Sequence, residues 1–117
     1  MRKFVPFSED TNFAPYIPLP TFIMHEDFSY TAKLIYCFML HRATNSRKNG
    51  AFRDKNGIFI HASIQEMCDF VKRKEYVVKE AVKVLDEAGY IKRKRMGRGI
   101  SNKYYVYIPV DNSDVSI

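Results

Sequence analysis

The chain has 117 residues, 46% of them apolar and 27% charged, with five Gly and five Pro. That describes one ordinary globular core and excludes a disordered, fibrous or two-domain chain. The net charge of +6 is concentrated: residues 72 to 103 hold eleven basic side chains against four acids, a balance of +7, while the other 85 residues balance to −1. A polyanion partner is the natural inference, against the plainer reading of a solvated charged face.

The longest uncharged apolar run, Leu34 to Leu40, is far shorter than the about 20 residues of a bilayer span. The amino end meets Pro6, Glu9 and Asp10 before any apolar stretch of signal-peptide length, so the expected location is the cytoplasm, with no membrane partner. Cys37 and Cys68 lack the paired spacing of a zinc site and read as two buried thiols in a reducing compartment.

Residues 1–20 carry four prolines (Pro6, Pro15, Pro18, Pro20) among Phe4, Phe7, Phe13 and Tyr16. Prolines that dense forbid a helix and most ladders, so the segment is expected to be an extended arm whose aromatics pack on their own domain or on a partner. Thr21 to Met24 reads as a short strand, with His25, Glu26 and Asp27 as a turn. Ser29 is placed to N-cap a helix from Tyr30 to about Asn45. Its apolar faces are Leu34, Ile35, Phe38 and Met39 on one side and Tyr36, Leu40 and Ala43 on the other. A helix apolar on two sides is central to a core or shared with a second subunit. A dimer interface of Phe4, Phe7, Tyr36 and Leu40 is expected.

Asn49-Gly50 and Asn56-Gly57 are turn signals around Ala51 to Arg53 and Ile58 to His61, which together read as a hairpin. Ser63 and Glu66 match a capping box for a short helix, Ile64 to Phe70. After a basic connection, Val77, Val78, Ala81, Val82 and Leu85 recur at helical spacing and stop at Gly89, predicting a second helix from Glu75 to Ala88. Two helices joined by so tight a turn are the helix-turn-helix outline. Tyr90 to Arg95 and Lys103 to Ile108 then read as strands around a flexible Gly97-Arg98-Gly99 tip, the hairpin called a wing. Asp111 to Ile117 reads as a tail or linker, leaving 21–110 as the folded domain. The expected fold class is α+β: a winged helix-turn-helix with small antiparallel hairpins and a proline-rich arm.

A duplex presents about one charge per 1.7 Å of axis, so its partner needs cations spread along a surface. Tyr76, Lys79 and Lys83 lie off the apolar stripe of the second helix, where they can enter a major groove. Lys72, Arg73 and Lys74, at the helix start, suit phosphates. Lys94, Arg95, Arg98 and Lys103 on the wing suit the backbone, with Arg98 a candidate for a narrow minor groove. Glu75 either accepts from cytosine N4 or pairs with Lys79, the commoner arrangement in helices. Tyr104, Tyr105 and Tyr107 either stack on bases or divide by alternation between core and surface. His25, His41 and His61 form no metal-binding pair, and no phosphate-binding glycine loop is present. No cofactor and no enzymatic activity are expected.

Phe28 to Tyr36, Leu40-His41-Arg42, Ser46 to Gly50, Asp54 to Gly57, Ile58-Phe59-Ile60, Glu66, Leu85 to Ile91, Arg93 to Gly97 and Asn102 to Val106 together resemble the RepA_N domain of replication initiators from plasmids of Gram-positive bacteria. Lys74 departs from a small capping Ser, and Ala51-Phe52 from a common Trp. The resemblance implies a winged-helix domain that binds repeated double-stranded origin sites (iterons) and forms a homodimer. It also implies host replication proteins as partners of a separate C-terminal domain. Alternatives on the same fold are a transcriptional repressor and a replisome protein-interaction module.

Overall fold

A computed structural model describes residues 2–50 and 52–110 of the chain. The elements run α1 (Thr21–Met24), α2 (Tyr30–Asn49), β1 (Arg53–Asp54), β2 (Gly57–Ala62), α3 (Ile64–Val71), α4 (Glu75–Ala88), β3 (Ile91–Lys94) and β4 (Asn102–Val106). All strand pairs are antiparallel, in the order β1-β2-β4-β3. This is the helix, turn, helix, basic hairpin order that the charge and periodicity predict. The expected tail, 111–117, and Ala51 of the expected hairpin lie outside the described residues.

The core has α2 at its centre. Ile35, Tyr36 and Met39 of α2 are wholly enclosed together with Val78, Val82 and Leu85 of α4, Met67 of α3, and Ile60 and Tyr104 from the sheet. Each aliphatic side chain buried to this extent contributes about 1.5–3 kcal/mol, several times the worth of any surface ion pair here. Burial, not charge pairing, therefore holds α4 in place. Tyr36 belongs to this core, and its hydroxyl donates to the Tyr107 carbonyl at 2.7 Å. Burial pushes its pKa upward. The expectation that Tyr36 meets a second subunit is thus corrected, since its ring has no exposed surface. Leu40 is half-buried against the same core.

Two local expectations also change. Thr21–Met24 is a helical turn and not a strand. Its Ile23 alone is fully enclosed, and Lys33, itself buried, donates from Nζ to the Met24 carbonyl at 3.0 Å, closing the turn. Helix α2 continues one turn beyond Asn45, because Gly50 (φ 69°) ends it in the left-handed region and Arg47 and Lys48 complement the negative end of its dipole. Gly50 is therefore a helix stop instead of a hairpin turn. The Ser29 cap is as expected, its Oγ accepting from the Ala32 amide at 3.1 Å.

Residues 2–20 contain no helix or strand. Phe4 and Phe7 are 86% and 78% exposed. Phe7, Phe13 and Tyr16 touch one another in a chain of tilted ring pairs, while Ile17 packs against the core. The arm is anchored at its base and carries its rings away from its own domain.

The helix-turn-helix is built from local chemistry. Ser63 and Glu66 form the predicted capping box, Oγ accepting from the Glu66 amide at 3.0 Å and Oε1 from the Ser63 amide at 3.1 Å. Glu66 also pairs with Arg42 of α2, whose second guanidinium nitrogen donates to the His61 carbonyl at 2.7 Å. That one arginine ties α2, β2 and α3 together. The turn itself passes through Lys72 at φ 58°, where a side chain costs about 1–2 kcal/mol. Helix α4 begins at Lys74 with no side-chain cap and ends at Gly89, φ 91°.

These ends generate a stability test. Ser63→Ala is expected to lower unfolding free energy by about 1 kcal/mol, and Lys74→Ser to raise it by up to about 1 kcal/mol, because one substitution deletes a cap and the other supplies one. Urea denaturation measures both; equal midpoints for the three proteins would contradict the capping account.

Candidate nucleic-acid interface

Helix α4 turns Val78, Ala81, Val82 and Leu85 inward and leaves Tyr76, Lys79 and Lys83 exposed. The Glu75 carboxylate pairs with Lys79 at 2.8 Å. With both partners well exposed, such a pair is worth only a few tenths of a kcal/mol, so Lys79 is easily released to a phosphate or base.

Across from this face lies β3. Strand alternation decides which of its cations can help, since residues two apart share a face. Ile91 is in the core, so Arg93 and Arg95 follow it towards α4 while Lys92 and Lys94 point to the other side. The result is an open trough of about 650 Å³ lined by Lys79 and Lys83 from α4, Arg93 and Arg95 from β3 and its end, Arg98 from the wing tip, and Ile64, Gly97 and Asn102. Five cations, two from α4 and three from β3 and the loop that follows it, thus converge on one concavity. Behind its wall, the Tyr104 hydroxyl is buried without a hydrogen-bond partner among the described residues, beside Arg93 and Asn102. Burial raises its pKa.

Of the expected contact residues, Lys79, Lys83, Arg95 and Arg98 line the trough. Lys72, Arg73, Lys74 and Tyr76 are exposed around the tight turn and the start of α4. Two do not join them. Lys94 pairs across the ladder with Lys103 and shares its face, on the far side of the sheet from α4. Lys103 is committed internally: Nζ meets Asp54 Oδ2 at 2.5 Å, sits 3.9 Å from the Phe59 ring centre, and the side chain is 11% exposed. Its role as a wing contact is corrected on that ground. Conversely, Arg93 lines the trough although sequence reasoning did not single it out. The signal was present in the spacing Ile91, Arg93, Arg95, once Ile91 is assigned to the core.

The three wing tyrosines divide by alternation. Tyr104 is in the core, and Tyr105 is buried on the opposite face, its hydroxyl donating to Asp54 at 2.5 Å. Tyr107, past the end of β4, is about half exposed. Cys37 is buried and Cys68 half-buried, both free, and burial raises the Cys37 thiol pKa. Among the described residues no cluster of His, Cys, Asp or Glu could hold a metal ion, and no helix is long and apolar enough to cross a membrane.

A helix-turn-helix whose second helix faces a basic hairpin across a cationic trough defines a winged helix-turn-helix protein. The chain belongs to the family described as the N-terminus of replication initiator protein A (RepA), RepA_N, which it matches over residues 16–114. In fold it is similar to three solved structures. One is a Rep–DNA complex (TM-score 0.65, 20% identity, 83% of this chain and 78% of that one). The second is the N-terminal domain of a DNA-binding protein (0.66, 19%, 88% and 87%). The third is an MDR initiator (0.65, 20%, 83% and 79%). No curated protein matches the chain.

The Asp54 latch has a defined pH response. Hydrogen bonds from Lys103 and then Tyr105 lower its pKa from 3.8 to about 2. A carboxylate whose folded pKa is depressed stabilises the fold above the unfolded value and loses that contribution as pH falls through the folded one. The stability difference between wild type and Asp54→Asn is therefore expected to be constant above about pH 5, to shrink as pH falls below 3.8 and to be lost as pH falls through about 2. Carbon-13 NMR of the carboxyl gives its midpoint directly; a value near 3.8 would show that the latch is open in solution.

Proposed function

We propose that this domain binds double-stranded DNA at repeated sites in a plasmid replication origin and acts by binding alone, without catalysis. The observation that carries the reading is the convergence of Lys79, Lys83, Arg93, Arg95 and Arg98 on one trough between helix and wing. In this mode Lys79, Lys83 and Tyr76 meet base edges and flanking phosphates in the major groove. Lys72, Arg73 and Lys74 hold the backbone, and Arg98 reaches an adjacent minor groove. Membership of an initiator family supports origin DNA as the target. A plasmid origin as the target supports a cytoplasmic location.

We further propose a homodimer, supported by the exposed aromatic arm with Phe4 and Phe7 at its far end. Contacts with host replication proteins fall to a separate domain, leaving this module to locate the origin. Footprinting across the origin of the parent plasmid tests the whole reading: protection of tandem directional repeats is expected, whereas a single palindrome over a promoter would make the protein a repressor.

Titration with duplex DNA tests the contacts. With about six phosphates neutralised, log affinity is expected to fall against log salt with a slope near −5, and a flat response would end the electrostatic account. Lys79→Ala is expected to weaken the preferred site more than random duplex, and Arg98→Ala to weaken A·T-flanked sites most. Neighbouring wing residues separate the two sheet faces: Arg93→Ala weakens duplex binding and reduces the slope by about 1, while Lys94→Ala changes neither. Equal losses at 93 and 94 would contradict the trough.

A further inference from the structure

The face of the sheet turned away from α4 carries side chains that the duplex reading does not use. Ladder register sets them in rows: Phe59, Tyr105 and Lys92 in one, His61, Lys103 and Lys94 in the next. The β1–β2 hairpin folds over this face, held there by Asp54 through its bonds to Lys103 and Tyr105. Between the hairpin turn and β3 remains a cleft of about 390 Å³, lined by Asn56, Lys92, Arg93, Lys94, Tyr105 and Tyr107.

We propose that this cleft is a second nucleic-acid site, taking a short stretch of single-stranded DNA. The proposal goes beyond the duplex reading and does not require it. Four features carry it. Asp54 neutralises Lys103, but Lys92 and Lys94 are exposed and neither pairs with a carboxylate among the described residues. Two residues apart on one strand, they stand about 7 Å from each other along the cleft wall, as a row of backbone phosphates would require. Tyr107, 48% exposed, is pinned at both backbone ends, its amide to the Tyr90 carbonyl at 2.8 Å and its carbonyl to the Tyr36 hydroxyl at 2.7 Å. A half-open ring on a fixed backbone is a stacking platform whose main chain needs no ordering on binding. Asn56 adds an amide that both donates and accepts, able to meet a base edge.

The dimensions select the strand over the duplex. A cleft of this volume admits about one nucleotide, and a duplex cannot bring a base face against Tyr107 without unstacking it. An acidic peptide would satisfy the two lysines but leave the ring and the amide unused. Apart from Arg93, which lines both, the cleft and the α4 trough are built on opposite faces of one sheet, so both can be filled together, with a duplex in front and a separated strand behind.

Fluorescence anisotropy with a labelled oligothymidylate of about 15 nucleotides tests the site on the whole chain. Lys92→Ala/Lys94→Ala is expected to weaken binding at least about tenfold, and Tyr107→Ala about 5- to 150-fold, while Tyr107→Phe stays near wild type. Lys79→Ala/Lys83→Ala is expected to leave oligothymidylate binding unchanged, and unlabelled duplex is expected not to displace the probe. Thermal melts of each variant establish that it is folded. The proposal is overturned if oligothymidylate does not bind, if the Lys79/Lys83 variant loses it while the Lys92/Lys94 variant keeps it, or if polyglutamate displaces it equally well. Failure of the duplex reading is seen separately, as absence of duplex binding by a protein that still holds the single strand.

Discussion

The packing of α2 against α4 is the constraint on which the rest of the molecule depends. Ile35, Tyr36 and Met39 on one helix and Val78, Val82 and Leu85 on the other are all fully enclosed, and the sheet closes over them through Ile60 and Tyr104. Because interiors are close-packed, this contact allows α4 little freedom to roll or slide. Its outer face is thereby set against the wing, and the width of the cationic trough follows. No charged residue of the trough holds it open; repulsion among five cations is opposed by hydrophobic burial made elsewhere.

That separation of tasks explains how the domain tolerates so lopsided a charge distribution. Like charges gathered on a concave surface repel one another and destabilise the fold, a cost that phosphates entering the trough in the proposed binding mode would relieve. The pairing of Glu75 with Lys79 offsets a little of it. On the opposite side of the sheet the chemistry is arranged differently. Asp54 takes up Lys103 and Tyr105 and uses them to fasten a two-strand hairpin, so a lysine that looks available in the sequence is a structural cation.

Arg42 plays a corresponding part where α2, β2 and α3 meet. It bonds to the His61 carbonyl and pairs with Glu66 while its guanidinium lies 4.5 Å from the Phe38 ring centre. Three elements meet on one planar group whose five donors are fixed in direction. The first helix of the helix-turn-helix is oriented by this contact and by its capping box, and the second by the core. The tight turn between them passes through a left-handed lysine because both ends are already determined.

Local patterns in the chain were sufficient for the order of elements, for the capping box at Ser63 and Glu66, for both ends of α4, and for the confinement of charge to one segment. Each depends on residues within a few positions of one another, where spacing alone dictates geometry. Thr21–Met24 could not be read this way, since a four-residue apolar run has no period, and only the core that receives Ile23 and the lysine that closes its last carbonyl make it a helix. The same limit governed the wing. Neighbouring cations from 92 to 95 look alike in a sequence, and the burial of Ile91 sends Arg93 and Arg95 to one face and Lys92 and Lys94 to the other. Lys103 was assigned its partner by Asp54, forty-nine positions away, and Tyr36 was taken from the surface by helices and strands packed around it. Residue order alone confines the basic charge to one segment; which of those cations share a face was decided only when the strands found their register, because a one-residue difference in a pleated sheet is the difference between its two sides.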